Sequence, residues 1–262
     1  MQKGFISVSK TNFSTSRITQ SIAKTTVTAP KVIAAAPNTL TGLVSWYSAQ
    51  GLSVGSNIST WGSSGGTYNQ TLSSNAGTFP VVDNVYPNST AKAININKQG
   101  SFGNSTTFPQ YGSGVPHTLI TVCFPTGEDS GNTDFGCLIA WGSSGNVRTL
   151  ISAYSSNYWR TDYWGGGVAT LLPVRQASII SSRFDGLRRH QFNLNNRFPY
   201  YVGYEWAKGS AGPLYIGQWN YDLPSRSYRG YVSEVIVYNR ELSDSELAQV
   251  YAYLSNIYGI TV

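Results

Sequence analysis

The chain has 262 residues, of which 40% are hydrophobic, 13% aromatic and only 11% charged. That apolar and aromatic content offsets chain entropy and excludes disorder throughout, and no stretch approaches the ~18 apolar residues of a membrane-spanning helix. The net charge of +6 is unevenly placed: the first 40 residues hold five basic and no acidic groups, leaving 13 basic against 12 acidic in the rest. A nearly neutral globular part argues against specific nucleic-acid binding, so the basic character belongs to an N-terminal arm.

Within that arm Lys3, Lys10, Arg17, Lys24 and Lys31 recur at a strict spacing of seven. Ser, Thr, Val and Ile dominate around them and Pro30 interrupts, which opposes a helix. In a flat strand an odd period sends successive basic residues to opposite faces. An extended arm over residues 1–40 that lies against a repeated surface fits the pattern, with the five basic residues as assembly contacts. An unstructured linker with accidental regularity is the alternative. Met1-Gln2-Lys3 opens like a signal peptide, but Gly4–Ser9 is too short and polar for its apolar core, so no classical signal peptide is expected.

From residue 41 the chain reads as short strands separated by turn residues. Leu43–Tyr47 comes first, then Lys92–Ile96, His117–Phe124, Gly136–Trp141, Arg148–Tyr154, Tyr158–Tyr163 and Gln176–Phe184. Arg188–Leu194, Tyr200–Tyr204, Pro213–Trp219 and Tyr228–Tyr238 follow. About twelve strands without intervening helical periodicity predict an all-β sandwich over residues 41–262. Cys123 and Cys137 flank a turn-rich stretch and could face each other on paired strands. A disulfide closing that loop and two buried thiols are both open readings.

One helix is expected, over 244–258. Ser243-Asp244-Ser245-Glu246 has capping-box spacing. Leu247, Val250, Tyr251, Leu254 and Ile257 then make one apolar stripe, and Gly259 stops it. Such a helix is expected to cover an open end of the sandwich.

The C-terminal run YRGYVSEVIVYNRELSDSELAQVYAYLSNIYGI resembles the ending of LamG-like jelly-roll domains of the concanavalin A-like superfamily. Gly230, Glu234–Arg240, Leu242, Ser243, Asp244, Glu246, Tyr253, Leu254 and Tyr258–Ile260 carry the match, with Ile257 where lysine is common. Gly42–Trp46, Ser59-Thr60-Trp61 and Pro213–Gly217 resemble other segments of that family, although Ser63 replaces an expected aspartate. The resemblance covers residues 41–262 and implies a concanavalin A-like, LamG-like jelly-roll sandwich. Its members include glycan binders, adhesion modules, enzyme appendages and viral surface proteins.

Candidate sites are few. Glycoside hydrolysis needs two facing acids, and the twelve acidic residues form no clustered array on one strand, so no catalytic residue is assigned and the chain is expected not to be an enzyme. No cofactor is expected. Glu128, Asp129 and Asp134 are weak calcium candidates, since they offer hard oxygen ligands without the spacing of a defined loop. Aromatic rings beside amides and acids suit sugars. On that ground Tyr158, Trp159, Asp162 and Trp164 form one candidate carbohydrate patch, and Trp219, Asn220 and Tyr221 a second. Arg183, Arg188, Arg189 and Arg197 form a basic cluster suited to rim contacts with an acidic partner.

Together these readings predict a non-catalytic structural or accessory surface protein, such as a virion capsid or fibre component, docked by residues 1–40 onto other structural proteins and displaying a lectin-like domain. Its expected location is a virion or other extracellular surface assembly, without membrane insertion. The alternative is a free carbohydrate-binding adhesion module that uses its aromatic residues to hold a surface glycan. More remote is a glycan-degrading enzyme.

Overall fold

In the computed structural model the described residues are 32–96, 100–108, 115–126, 136–142, 148–154, 158–163, 166–171, 176–187, 190–195, 197–202, 212–218 and 228–262. The chain divides into two units, 1–31 and 32–262, and the architecture below is that of the second. The basic arm residues Lys3, Lys10, Arg17, Lys24 and Lys31 belong to the first unit and lie outside the described residues.

Among its described residues are seventeen strands, one α-helix and a short 3-10 turn at Pro37–Thr39. In chain order the strands are β1 Leu43–Ser48, β2 Asn57–Ile58, β3 Thr60–Trp61, β4 Leu72–Ser74, β5 Phe79–Val82, β6 Ala93–Ile96, β7 Phe102–Gly103 and β8 His117–Pro125. Then come β9 Gly136–Trp141, β10 Arg148–Tyr154, β11 Tyr158–Tyr163, β12 Gly166–Leu171, β13 Ser178–Phe184, β14 His190–Leu194, β15 Arg197–Val202, β16 Leu214–Ile216 and β17 Gly230–Tyr238. The helix α1 is Asp244–Tyr258. Six strands were not expected: β2, β3, β4 and β7 are only two or three residues long, too short to show an alternating pattern, and β5 and β12 are the other two. The expected strand at Tyr200–Tyr204 starts earlier, at Arg197.

These strands form two antiparallel sheets. One is ordered β15-β14-β13-β8-β17-β6-β5-β2, with β1 also paired to β17, and the other β12-β11-β10-β9-β16-β7-β4-β3. Between them lies the main core, to which both sheets contribute: Val44, Tyr47, Leu119, Ile180, Val235 and Val237 from the first, Trp61, Leu72, Phe102, Ile139, Trp141 and Ile216 from the second. Edge-to-face rings tie it together, with Tyr47–Trp61 centroids 5.8 Å and Trp61–Phe102 centroids 5.7 Å apart. Such pairs are worth ~0.5–1.5 kcal/mol each beyond the area they bury. His117 is part of this interior, packed against Trp141 and Phe184.

The nine-stranded sheet is covered on its outer face as well. Leu247, Val250, Tyr251, Leu254 and Tyr258 of α1 pack on Ile120, Val122, Ile179, Ile236 and Tyr238. The helix therefore lies across a sheet face instead of closing an open end, because its apolar stripe matches the outward residues of β8, β13 and β17. Burial on both sides explains why β17 reads as a nearly continuous apolar run. At its start Gly230 has φ +150°, and a Cβ there would stand 2.4 Å from the Phe124 carbonyl oxygen, so a side chain is excluded.

A bulge in β17 decides which groups face the helix. Along β8 the register steps from Val232↔Cys123 to Glu234↔Val122, leaving Ser233 as the extra residue. Val232 and Val235 both enter the inter-sheet core. Ser233 and Glu234 consequently both point outward, a same-face pair that strict alternation forbids. The Ser233 hydroxyl donates to Tyr86 Oη at 2.7 Å, and its carbonyl accepts from Ala49 N at 2.8 Å.

Of the two open readings for Cys123 and Cys137, the structure shows the buried thiols, since the two residues do not lie on paired strands. β8 and β9 belong to different sheets: Cys123 faces the inter-sheet core, while Cys137 sits in a small separate cluster with Ala140 and Tyr215. Both are buried and no disulfide joins them.

Candidate functional site

The outer face of the nine-stranded sheet carries two polar arrangements around α1. The first is buried and centred on Glu234, which is 0% exposed. Its Oε1 accepts from Ser48 Oγ at 2.8 Å and from Tyr258 Oη at 2.6 Å, and its Oε2 accepts from Trp46 Nε1 at 2.7 Å. Trp46 and Ser48 alternate on β1 beside β17, and Tyr258 comes from the last turn of α1. Gln50 Nε2 donates to Tyr258 Oη at 3.0 Å and to the Lys92 carbonyl at 3.1 Å. Lys92 Nζ in turn donates to the Gln50 and Leu52 carbonyls at 2.8 and 2.6 Å. Burial pushes the Glu234 carboxyl up to about 7, against the opposing pull of the Tyr258, Trp46 and Ser48 hydrogen bonds. This group holds sheet, first strand and helix together; it has the chemistry of a structural hub.

The second arrangement is an open polar cleft of about 350 Å³ at the N-terminal end of α1. Its floor is the outer face of β13 and β14, where Arg183 and Gln191 stand opposite each other in register. The wall is the turn from Arg240 to Glu246. Arg183 is a buried cation, 3% exposed at the side chain. It is fixed by Nη1 donating to the Leu242 carbonyl at 2.7 Å and Nη2 donating to Asp244 Oδ1 at 2.6 Å. It is therefore no rim residue for an acidic partner: its charge is spent inside the fold. Asp244, by contrast, is 87% exposed. Across the turn, Arg240 grips Glu246 with two hydrogen bonds, at 2.8 and 2.7 Å. That guanidinium, helped by the Ser243 amide and hydroxyl, holds the Glu246 carboxyl down to about 2. The capping box is complete, with Glu246 N donating to Ser243 Oγ at 3.2 Å and Ser243 N donating to Glu246 Oε2 at 2.9 Å. The turn is locked from beneath by Thr118, whose Oγ1 donates to the Arg240 carbonyl and accepts from Leu242 N, each at 2.9 Å.

The sequence-predicted sites are not gathered here. Tyr158, Trp159 and Asp162 stand on β11, at positions paired with Leu171, Thr170 and Gly167 of β12. Trp164, Trp219, Asn220 and Tyr221 lie outside the described residues, as do the calcium candidates Glu128, Asp129 and Asp134 and the basic residues Arg188 and Arg189. Among the described residues no cluster of three or more His, Cys, Asp or Glu could hold a metal ion. No helix there is long and apolar enough to cross a membrane. Sequence reasoning missed both polar arrangements. The lone carboxylate inside the apolar run VSEVIVY was the available signal for Glu234; nothing local pairs Arg183 with a turn about sixty positions away.

No family model matches the chain, and no curated protein does. Solved structures do resemble it. A sialidase of Trypanosoma rangeli, in complex with the inhibitor DANA, gives a TM-score of 0.59 at 16% identity, covering 87% of this chain and 36% of the sialidase. Domain 4 of AbnA, a GH43 extracellular arabinanase from Geobacillus stearothermophilus in complex with arabinotriose, gives 0.54 at 13% identity. That match covers 82% of this chain and 98% of the domain. The binding domain of Paraclostridial Mosquitocidal Protein 1 gives 0.59 at 12%, covering 83% of this chain and 55% of that one. This chain spans about a third of the length of the first sialidase matched.

These findings correct four expectations. None of the three proteins is named as a LamG-like or concanavalin A-like lectin, so that family assignment and its jelly-roll label are withdrawn in favour of the plain description, an all-β chain of two antiparallel sheets with one helix. The physical reason is local: Gly230, the Ser243–Glu246 box and the Tyr258-Gly259 stop each serve strand pairing, capping or helix termination, and any strand–helix unit of this shape requires them. The non-catalytic virion component is overturned too, as is the expectation that the chain is not an enzyme, because a sialidase and an arabinanase domain stand among its structural neighbours.

Proposed function

We propose that this chain works on carbohydrate, as the glycan-holding domain of a carbohydrate-acting enzyme. The observation that carries the reading is the match to nearly the whole of an arabinanase domain bound to arabinotriose, supported by the sialidase matches over about a third of their length. The architecture suits holding: a rigid two-sheet body, braced by the Glu234 hub and the capped helix, presents polar side chains on a fixed surface. Sites built on strands and helices keep their geometry better than sites on loops. The partner in this reading is a surface or polymeric glycan.

The test is a glycan array probed with the labelled chain, together with release assays on arabinan and on a sialylated oligosaccharide. Retention on one glycan class is the expected result. Absence of retention and of turnover on every glycan would remove the proposal.

A further inference from the structure

An open β-sheet ends in strands whose outer N–H and C=O groups lack a ladder partner. Folded proteins blunt such edges with very short strands, charge, proline, bulges or a covering segment. This chain blunts its edges unequally. In the nine-stranded sheet one end strand, β2, is two residues long. The other, β15, carries Arg197 and Pro199 and pairs with β14 through a register shift. β1 joins that sheet through β17 and is covered on its other side, where Trp46 N donates to the Gly65 carbonyl at 3.0 Å and Tyr68 N to the Val44 carbonyl at 2.7 Å. In the eight-stranded sheet the end strand β3 is again two residues long.

Among the described residues β12, at the opposite end of that sheet, has none of these devices. Its six residues, Gly166-Gly167-Val168-Ala169-Thr170-Leu171, include no charged group and no proline. All six pair with β11 in unbroken register, from Tyr163↔Gly166 to Tyr158↔Leu171, so no bulge twists the edge away. β11 is its one neighbouring strand among the described residues.

The composition of the edge narrows the occupant to a second copy. Having no charge, β12 meets itself in any register without opposing like charges, whereas self-pairing of β15 would lose a ladder donor at each Pro199. A two-fold axis normal to the sheet makes the two strands antiparallel and keeps each sheet face on its own side. It sets a residue at the middle of the strand, Val168 or Ala169, against its own counterpart. Such an interface is isologous and closes on itself, so the exposed edge of each copy is consumed and no third copy adds.

We propose that β12 pairs antiparallel with β12 of a second copy, joining the two eight-stranded sheets into one continuous sheet across a two-fold axis. The contact is mainly between backbones and small, which puts it in the weak class of interfaces, with a Kd on the order of 10 μM. Neighbouring strands lie about 4.8 Å apart, so the two β11 strands come to about 14 Å from each other. The dimer does not depend on the carbohydrate reading; where that reading holds, two copies on one sheet grip a polymeric glycan with avidity.

Sedimentation equilibrium of the full chain tests the stoichiometry, and hydrogen exchange at low and high protein concentration tests the place. Wild type is expected to be a concentration-dependent dimer, and the outer amides of residues 166–171 to exchange about tenfold more slowly where the dimer forms. Ala169, in register with Arg160 of β11, is the site for charge. Ala169→Glu and Ala169→Lys are each expected to weaken association about tenfold, and an equimolar mixture of the two to restore it, because opposite charges then meet across the seam. Thr60→Glu adds charge at an exposed position of β3, the other end of the same sheet, and is expected to change nothing. Circular dichroism melts check the fold of each variant; should the Ala169 variants not fold, exchange in the wild type decides alone. A chain that is monomeric at every concentration overturns the proposal. So does a dimer protected outside residues 166–171 only, or one that Thr60→Glu weakens as much as Ala169→Glu does.

Discussion

Replacing Glu234 with Gln tests whether the buried hub stores a pH-dependent share of the fold's stability. Burial raises this carboxyl from 4.5 to about 7. The folded protein therefore holds the proton more tightly than the unfolded chain does. The contribution is fully present below pH 4.5, declines as pH rises through about 7, and is gone above it. At ~1.4 kcal/mol per pH unit, the full change is about 3 kcal/mol, a large part of the ~5–15 kcal/mol typical of a folded domain. Glutamine keeps the shape and cannot ionise. Its carbonyl oxygen can take the Trp46 indole N–H, while its amide donates to Ser48 Oγ and Tyr258 Oη, hydroxyls able to turn and accept. Urea unfolding of wild type and Glu234→Gln from pH 4.5 to 8.5 is the assay, and the difference between the two cancels every other titrating group. The variant should gain on wild type by about 3 kcal/mol across that range. A difference that stays flat within ~0.5 kcal/mol would refute the reasoning, because it would mean the carboxyl titrates alike in both states.

Three further outcomes are expected. Leu254→Ala, at a helix position 0% exposed, should cost ~2–5 kcal/mol through the cavity it leaves, read as a lowered urea midpoint with an unchanged slope. Glu246→Gln should lower Tm at pH 6 by breaking the charged, two-bond Arg240 grip, while the Gln amide oxygen still accepts from Ser243 N in the capping box. Because the wild-type carboxyl is depressed to about 2, its stabilisation is present above pH 4.5 and lost as pH falls through about 2, so the gap between the two proteins should close at the acid end. Gly259→Ala forces a Cβ to within 2.8 Å of Asn88 N at φ +70° and should destabilise by ~1 kcal/mol or more; circular dichroism melts check it, and an unchanged melt would show that the helix stop tolerates a side chain.

Much of the local structure was legible. Gly136–Trp141, Arg148–Tyr154 and Tyr158–Tyr163 are strands at the residues where alternation and turns placed them. These segments are long and bounded by Gly, Ser and Asn. β12 escaped notice because Gly166 and Gly167 read as a turn, although they pair with Tyr163 and Asp162 of β11. The site was not legible. Arg183 reads as one of four clustered surface cations, yet the sheet and the turn after β17 bury it and spend its charge on Leu242 and Asp244. The family-like ending misled for a related reason: its residues satisfy local capping and pairing, and local needs recur in unrelated proteins.

By itself the sequence determined the elements whose causes are near in the chain. Ser243 and Glu246 are three residues apart and cap α1 whatever lies beyond them, and the apolar alternation of a strand is written in the strand. The tertiary structure decided what depends on distant partners: that α1 lies on a sheet face, and that one bulge at Ser233 turns Glu234 toward the helix. It also decided that Arg183 and Gln191 become the floor of a cleft. A bulge shifts register by one residue and so exchanges the faces of everything on one side of it, and no local pattern announces where that step falls.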